Sequence, residues 1–168
     1  GEEDHYREKI VRLPCYQVND SRRPIAARTF TRQEMGLPAA GFVFCSFNNQ
    51  YKITPDTFDG WMRMLGRVEE SVLWLLVDHP AAADNLRREA ERRGIDPQRL
   101  VFAQRMPPDL HLARLRLADL YLDTRPCNGG ASVSDALWAG LPVLTLIGTS
   151  FVGRVAASLL HAVDLPEL

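Results

Sequence analysis

Five short, β-prone apolar runs set the architecture open to this chain. They are Phe42-Val43-Phe44-Cys45-Ser46-Phe47, Val72-Leu73-Trp74-Leu75-Leu76-Val77, Arg99-Leu100-Val101-Phe102, Leu120-Tyr121-Leu122-Asp123 and Pro142-Val143-Leu144-Thr145-Leu146. Their near-continuous apolar character belongs to strands covered on both faces, and the first run is expected at the centre of a sheet. Helical signals separate them. Thr54-Pro55-Asp56 supplies an N-cap, a proline at the first helical position and a first-turn acid, and Phe58, Trp61, Met62, Leu65 and Val68 recur at helical spacing. A more exposed helix is expected over 82–93, with Glu89 four residues before Arg93 and Gly94 past its end; further helices are expected over 110–116 and 153–162. Such alternation predicts an α/β fold: a Rossmann-like parallel sheet with helices on both faces and right-handed crossovers. Ligands then bind beyond the carboxyl ends of the strands, where the loops after strands one, three, four and five share a rim.

The chain has 168 residues, of which 46% are hydrophobic, enough for one buried core but too few for two ordinary domains. Residues 39–168 form the expected lobe. Residues 1–38, broken by Pro14, Pro24 and Pro38, read as an amino-terminal extension that either needs a partner surface or is a solvated linker, with a short strand at Ile10-Val11-Arg12-Leu13. A net charge of −1 offers no general attraction to nucleic acid or to an anionic membrane. Cys15, Cys45 and Cys127 make no CxxC pair or even disulfide framework and are expected as buried thiols. With no membrane-length apolar run and an acidic start unlike a signal peptide, the expected location is cytoplasmic.

Among the rim loops, Arg125 to Pro142 carries most information. It combines the pair Gly129-Gly130, small hydroxylated residues, Asp135, an apolar helical pattern and a Gly-Leu-Pro stop. This order describes a loop that delivers backbone N–H groups to a helix start, where an anion is held without a dedicated cation. Lys52 is either a solvated turn lysine or an ammonium facing a diphosphate, and its fixed position at the functional edge favours the second reading. His111 opens a helix whose N-terminus disfavours the imidazolium; it is either structural or a neutral hydrogen-bonding ring. His79 and His161 read as structural. Asp135 either compensates the helix dipole or accepts ribose hydroxyls. No GxxxxGK[ST] or GxGxxG is present, which argues against a P-loop NTPase and a dinucleotide dehydrogenase. No Asp-x-Asp or spaced His/Cys cluster suggests a side-chain metal site, so phosphate handling is expected from backbone, hydroxyls and Lys52.

Five blocks, in order, resemble the carboxyl-terminal catalytic lobe of the O-GlcNAc transferase/SPINDLY family. They are Phe44 to Pro55, Ser71 to Leu76, Leu117 to Thr124, Asp135 to Val143 and Arg154 to Ser158. The resemblance implies one lobe of a GT-B glycosyltransferase that binds a nucleotide sugar, UDP-GlcNAc, for transfer to Ser or Thr of an acceptor protein without a metal or other cofactor. It also implies that residues 1–38 are inter-lobe sequence. By position, Lys52 would stabilise the leaving diphosphate as the catalytic residue, with Asn49 near the phosphate where the family usually has glutamine. Met106 and Arg114 would sit at the uracil, His111 would pack on the nucleotide, and Asp135 would bind ribose. Where animal members read Asn-Gly-His-Thr-Thr, this chain has Asn128-Gly129-Gly130-Ala131-Ser132, leaving Gly130 and Ala131 to act through backbone and Ser132 as the side-chain phosphate ligand. The family's other lobe and its tetratricopeptide repeats lie outside these residues, so weak UDP binding and little activity are expected of the chain alone. A nucleotide-binding or protein-interaction module without catalysis, and a GDP-fucose-dependent protein O-fucosyltransferase, are the alternatives.

Overall fold

A strand buried on both faces needs neighbours on both edges, and β1 (Val43–Ser46) has them. A computed structural model describes residue 4, residues 6–11, residue 20 and residues 22–167. Its elements run β1, α1 (Pro55–Arg67), β2 (Val72–Leu76), α2 (Pro80–Arg92), β3 (Leu100–Ala103), α3 (Pro108–Leu115), β4 (Leu120–Leu122), α4 (Ala131–Trp138), β5 (Val143–Leu144) and α5 (Val155–Ala162). The five strands pair in the order β3-β2-β1-β4-β5, every pair parallel. The register sets Val43 beside Val72 and Cys45 beside Trp74 on one flank of β1, and Cys45 beside Tyr121 on the other. From β1 the chain runs outward to β3, then returns to lay β4 against the opposite edge of β1. The loops leaving β1 and β4 therefore diverge and open a crevice at this reversal.

The strands alternate between two cores. Val43, Cys45, Val72, Trp74, Leu76 and Tyr121 pack with Leu112 and Leu115 of α3, Val133 and Ala136 of α4 and Leu159 and Leu160 of α5. Phe44, Leu73, Leu75, Leu100 and Leu122 face the other way, onto Phe58, Trp61, Met62 and Leu65 of α1 and Ala90 of α2. Thr54 caps α1 by accepting the Thr57 N–H at 3.3 Å, with Pro55 in the first turn. Residues 22–38 lie against the same body. Phe30 and Leu37 are buried, Ile25 and Met35 pack on the first core, and Arg32 donates to the Gly41 carbonyl and to Asp119, which in turn accepts the Val43 N–H.

Several boundaries differ from the periodicity. Helix α2 starts at Pro80, because His79 Nδ1 accepts the Ala81 N–H and acts as the cap. Helix α3 starts at Pro108, a residue whose missing N–H suits a first turn. Strand β5 ends at Leu144: it lies at the sheet edge, and the next residue, Thr145, turns its hydroxyl onto Asp123. The helix expected from Gly153 is divided into a 3₁₀ turn over Phe151–Gly153 and α5. Helix α4 stops where Gly140 takes φ +83°, as the Gly-Leu-Pro sequence requires. Cys45 is buried and Cys127 half-buried, both free, whereas Cys15 lies outside the described residues. So does part of the strand expected over 10–13, and Ile10 and Val11 are not in a strand. Among the described residues no helix is long and apolar enough to cross a membrane.

Leu75 is fully buried in the centre of the sheet. Replacing it with alanine is expected to cost about 2–5 kcal/mol in urea unfolding, with an unchanged slope against denaturant.

Candidate functional site

The crevice at the reversal is a cleft of about 340 Å³. Its floor is Phe47 and Leu76, at the ends of β1 and β2. Asn49 and Lys52 reach it from the loop after β1, Met106 and His111 from the loop after β3 and the start of α3, and Gly130, Ala131, Ser132 and Asp135 from α4 and its approach. Arg114 completes the set, so every site residue predicted from sequence lines one cavity.

Asp123, just past β4, sets the geometry of the phosphate-side loops. Its Oδ1 accepts the Gly129 N–H at 2.7 Å and the Asn48 amide at 3.2 Å, and its Oδ2 accepts the Thr145 hydroxyl at 2.8 Å. Burial pushes the Asp123 carboxyl above its ordinary range, against the opposing pull of those hydrogen bonds. The opening loop is accordingly tied down. Asn128 donates to the Thr124 carbonyl, Thr124 to the Cys127 carbonyl, and the Thr54 and Thr57 hydroxyls to the Arg125 carbonyl. Gly129 is fixed by close approach: a Cβ there would stand 2.5 Å from Ser132 Oγ and 2.9 Å from Asn48 Oδ1.

Helix α4 begins at this loop with Gly130 as its N-cap and no side-chain cap. The first-turn N–H groups have no intrahelical acceptors, so the positive end of the helix is offered to the cleft by backbone alone. Ser132 differs from expectation in one respect. Its hydroxyl donates to Asn48 Oδ1 at 2.9 Å, so its proton supports the loop. Lys52 approaches from the other side, and its Nζ donates to the Asn128 carbonyl at 2.8 Å, which bridges the loops after β1 and β4. Arg105, absent from the predicted set, lines the same rim. It donates to Asp78 at 2.7 Å and to Asn49 Oδ1 at 3.3 Å. Its position in the loop after β3, matching that of Lys52 after β1, was the signal for it.

At the other end of the cleft the His111 ring stands 5.3 Å from the Phe47 ring. Its Nδ1 accepts from Arg114 Nε at 3.2 Å and from an Arg114 Nη at 2.9 Å, which leaves the ring proton on Nε2. Burial, and then the adjacent Arg114 cation, lower the His111 pKa to about 4. The ring is therefore neutral, as expected, but the causes are desolvation and Arg114 rather than the helix N-terminus. Arg114 itself is 1% exposed, stacked 4.8 Å over the Phe47 ring, and gives another N–H to the Gln104 carbonyl at 2.6 Å. Its hydrogen bonds thus hold His111 and the loop after β3. Asp135 pairs with Arg23, from the segment preceding the lobe.

The sequence matches Glycosyl transferase family 41 over residues 18–168. The chain belongs to this family. It is 41% identical over 138 residues to the UDP-N-acetylglucosamine–peptide N-acetylglucosaminyltransferase of Caenorhabditis elegans, a match covering 82% of this chain and 12% of that protein. With the Probable UDP-N-acetylglucosamine–peptide N-acetylglucosaminyltransferase SEC of Arabidopsis thaliana it shares 38% over 168 residues, covering 95% and 17%. Among solved structures, an O-GlcNAc transferase mutant from Thermobaculum terrenum matches with a TM-score of 0.74 at 35% identity, over 76% of this chain and 25% of that one. The chain spans less than a fifth of the length of the two curated relatives. Its fold is the Rossmann-like lobe of a GT-B glycosyltransferase, as the five sequence blocks implied. The cleft lies where a sheet of this kind receives its ligands: at the reversal, beside a helix N-terminus.

Two outcomes test this geometry. Gly129→Ala must push apart Ser132, Asn48 and the start of α4, and is expected to lower the melting temperature by several degrees, on the order of 1–3 kcal/mol of overpacking, by calorimetry. His111 has a folded pKa of about 4 against an ordinary 6.5, so protons bind the unfolded chain more tightly. Its contribution is complete above pH 6.5 and is lost as pH falls toward 4, at up to about 1.4 kcal/mol per pH unit. Asp123 acts in the opposite sense, its raised pKa favouring the fold as pH drops. The difference between the parent and His111→Gln cancels that effect, and the parent's stability relative to the variant is expected to decline as pH falls from 6.5 to 4.

Proposed function

We propose that this chain is the donor-binding lobe of a protein O-GlcNAc transferase, taking UDP-GlcNAc for transfer to Ser or Thr hydroxyls of an acceptor protein. The observation that carries the proposal is the convergence of Lys52 and the α4 N-terminus, free of any side-chain cap, on one cleft at the sheet reversal. The diphosphate would lie between them, near Asn49 and Arg105. The uridine would extend toward Met106 and His111, with the ribose hydroxyls on Asp135. The relatives named above as UDP-N-acetylglucosamine–peptide transferases support that donor and acceptor class.

In the proposed reaction an acceptor hydroxyl displaces UDP at the anomeric carbon. As the carbon–oxygen bond to the diphosphate breaks, negative charge builds on the leaving oxygen. Lys52 and the α4 N–H groups are preorganised to meet it. His111, neutral and held through Nδ1, offers an apolar face and an Nε2–H to the nucleotide. Arg114 acts through His111. The reading requires no metal, because cation and backbone donors meet the charge. It also places the protein in the cytoplasm, a setting supported by free Cys45 and Cys127. The acceptor-binding elements and the facing lobe belong to the remaining length of such a transferase, and the lobe alone should turn over little.

Titration calorimetry with UDP tests the assignment. Lys52→Ala and Asp135→Ala are each expected to weaken binding by about tenfold or more, since a charge-assisted hydrogen bond contributes about 1.5–3 kcal/mol. GDP is expected to bind more weakly than UDP. Unchanged affinity in both variants would overturn the assignment of the donor to this cleft, and no heat with UDP would leave a module without donor binding. Preference for GDP would redirect the reading to a fucosyl donor.

A further inference from the structure

Arg23 precedes the lobe in sequence, yet the structure places it against the cleft wall. One Nη of its guanidinium pairs with Asp135 Oδ1, and the group lies 5.5 Å from the centre of the Trp138 ring. The Arg23 carbonyl accepts the Trp138 indole N–H at 3.3 Å. Three residues on, the Ala26 N–H donates to the Asp109 carbonyl in the first turn of α3 at 3.1 Å. The strap over 23–26 therefore joins α3, which carries His111, to α4, which carries Asp135. Those two helices form facing walls of the cleft.

This arrangement limits what Asp135 can do. Its side chain is 24% exposed, and it meets Arg23 through Oδ1. Oδ2 has no partner among the described residues. A carboxylate clamped at one oxygen is held in rotation about its last torsion and leaves the other oxygen to a ligand. A free carboxylate would lose that rotation only on binding. The arginine is itself restrained by packing: it lies over Trp138 and its side chain is 25% exposed, while its Nε and other Nη are buried without a partner among the described residues. Arg23 also avoids consuming the group it holds, because one oxygen stays available.

We propose that Arg23 is a positioning residue for the donor nucleotide, holding Asp135 so that its free oxygen meets the ribose hydroxyls. The proposal rests on the donor-site reading above and adds the strap over 23–26 to the site. It makes the strap part of nucleotide recognition, and couples any movement of that segment to donor affinity.

The test compares UDP with 2′,3′-dideoxy-UDP by calorimetry on the parent chain and on Arg23→Met, which keeps the stem on Trp138 but removes the charge. Arg23→Met is expected to weaken UDP binding by about tenfold while changing the dideoxy analogue by less than about twofold. Arg23→Lys should recover part of the loss, and Arg23→Met should add little in an Asp135→Asn background. Equal or tighter UDP binding by Arg23→Met, or equal loss with both ligands, overturns the proposal. The second result would mean that the strap only supports the fold. A parent chain that does not bind UDP overturns the donor-site reading itself, whereas binding by the parent with an unaffected Arg23→Met overturns the role of Arg23 alone.

Discussion

The site depends on one buried carboxylate. Asp123 lies just beyond β4, next to the point where the chain reverses its direction across the sheet, and it collects donors from the loops after β1, β4 and β5. Burying a carboxylate is costly, and the raised pKa of Asp123 records that cost. What offsets it is the number of donors: an amide, a backbone N–H and a hydroxyl, each belonging to a segment with no strand partner at that level. Three loops that would otherwise move independently share one acceptor. Asn48 extends the connection, because the amide group that donates to Asp123 also carries the oxygen that accepts from Ser132. The start of α4 is thus tied to the end of β1 through two side chains, and the glycine between them leaves no room for a methyl group.

The second organising element is a cation that the cleft uses indirectly. Arg114 is buried between Phe47, Trp74 and His111, and desolvation lowers its pKa to about 10. It still carries its charge near neutral pH, and this charge helps to keep His111 neutral. One arginine thereby fixes the tautomer, orientation and charge of the histidine at the far end of the cleft. A lysine could not replace it, because the contact uses two N–H groups of a planar fork on one ring nitrogen and a third on a carbonyl.

How far the sequence showed this depends on the range of each interaction. Strand and helix identities were legible because buried parallel strands and amphipathic helices are local patterns. The central place of β1 followed from its unbroken apolar run. Residues of the cleft were legible too, since loops at the carboxyl ends of parallel strands must share a rim. Pairing was not legible. Nothing in the spacing of Arg23 and Asp135, 112 residues apart, predicts that they meet. Asp123 read as the polar end of a strand, and its three donors come from segments that only the strand order brings together. Arg114 was placed on the right helix, but its burial depends on Phe47 and Trp74 from other elements. Ser132 shows the same limit: a hydroxyl in a phosphate-loop pattern invites a ligand role, whereas the fold supplies Asn48 as its acceptor.

The cations around the cleft are not equivalent, and the difference bears on leaving-group chemistry. Arg105 is paired with Asp78, so much of its field at the rim is cancelled at short range. Arg114 is buried behind His111. Lys52 forms no salt bridge among the described residues and is held by a neutral carbonyl, which fixes its position without neutralising it. An ammonium has three donors, and the carbonyl of Asn128 occupies one. Because that carbonyl belongs to the loop leading into α4, the lysine and the helix N-terminus are referenced to the same peptide segment. Their separation is set before any ligand arrives. For a diphosphate that gains charge as its bond to sugar breaks, a prepositioned, uncompensated cation is worth more than several paired ones, since little reorganisation opposes its response. On the proposed reading, this tether makes Lys52 the residue on which transfer depends, and it does so through a backbone atom of the loop rather than through any acidic partner.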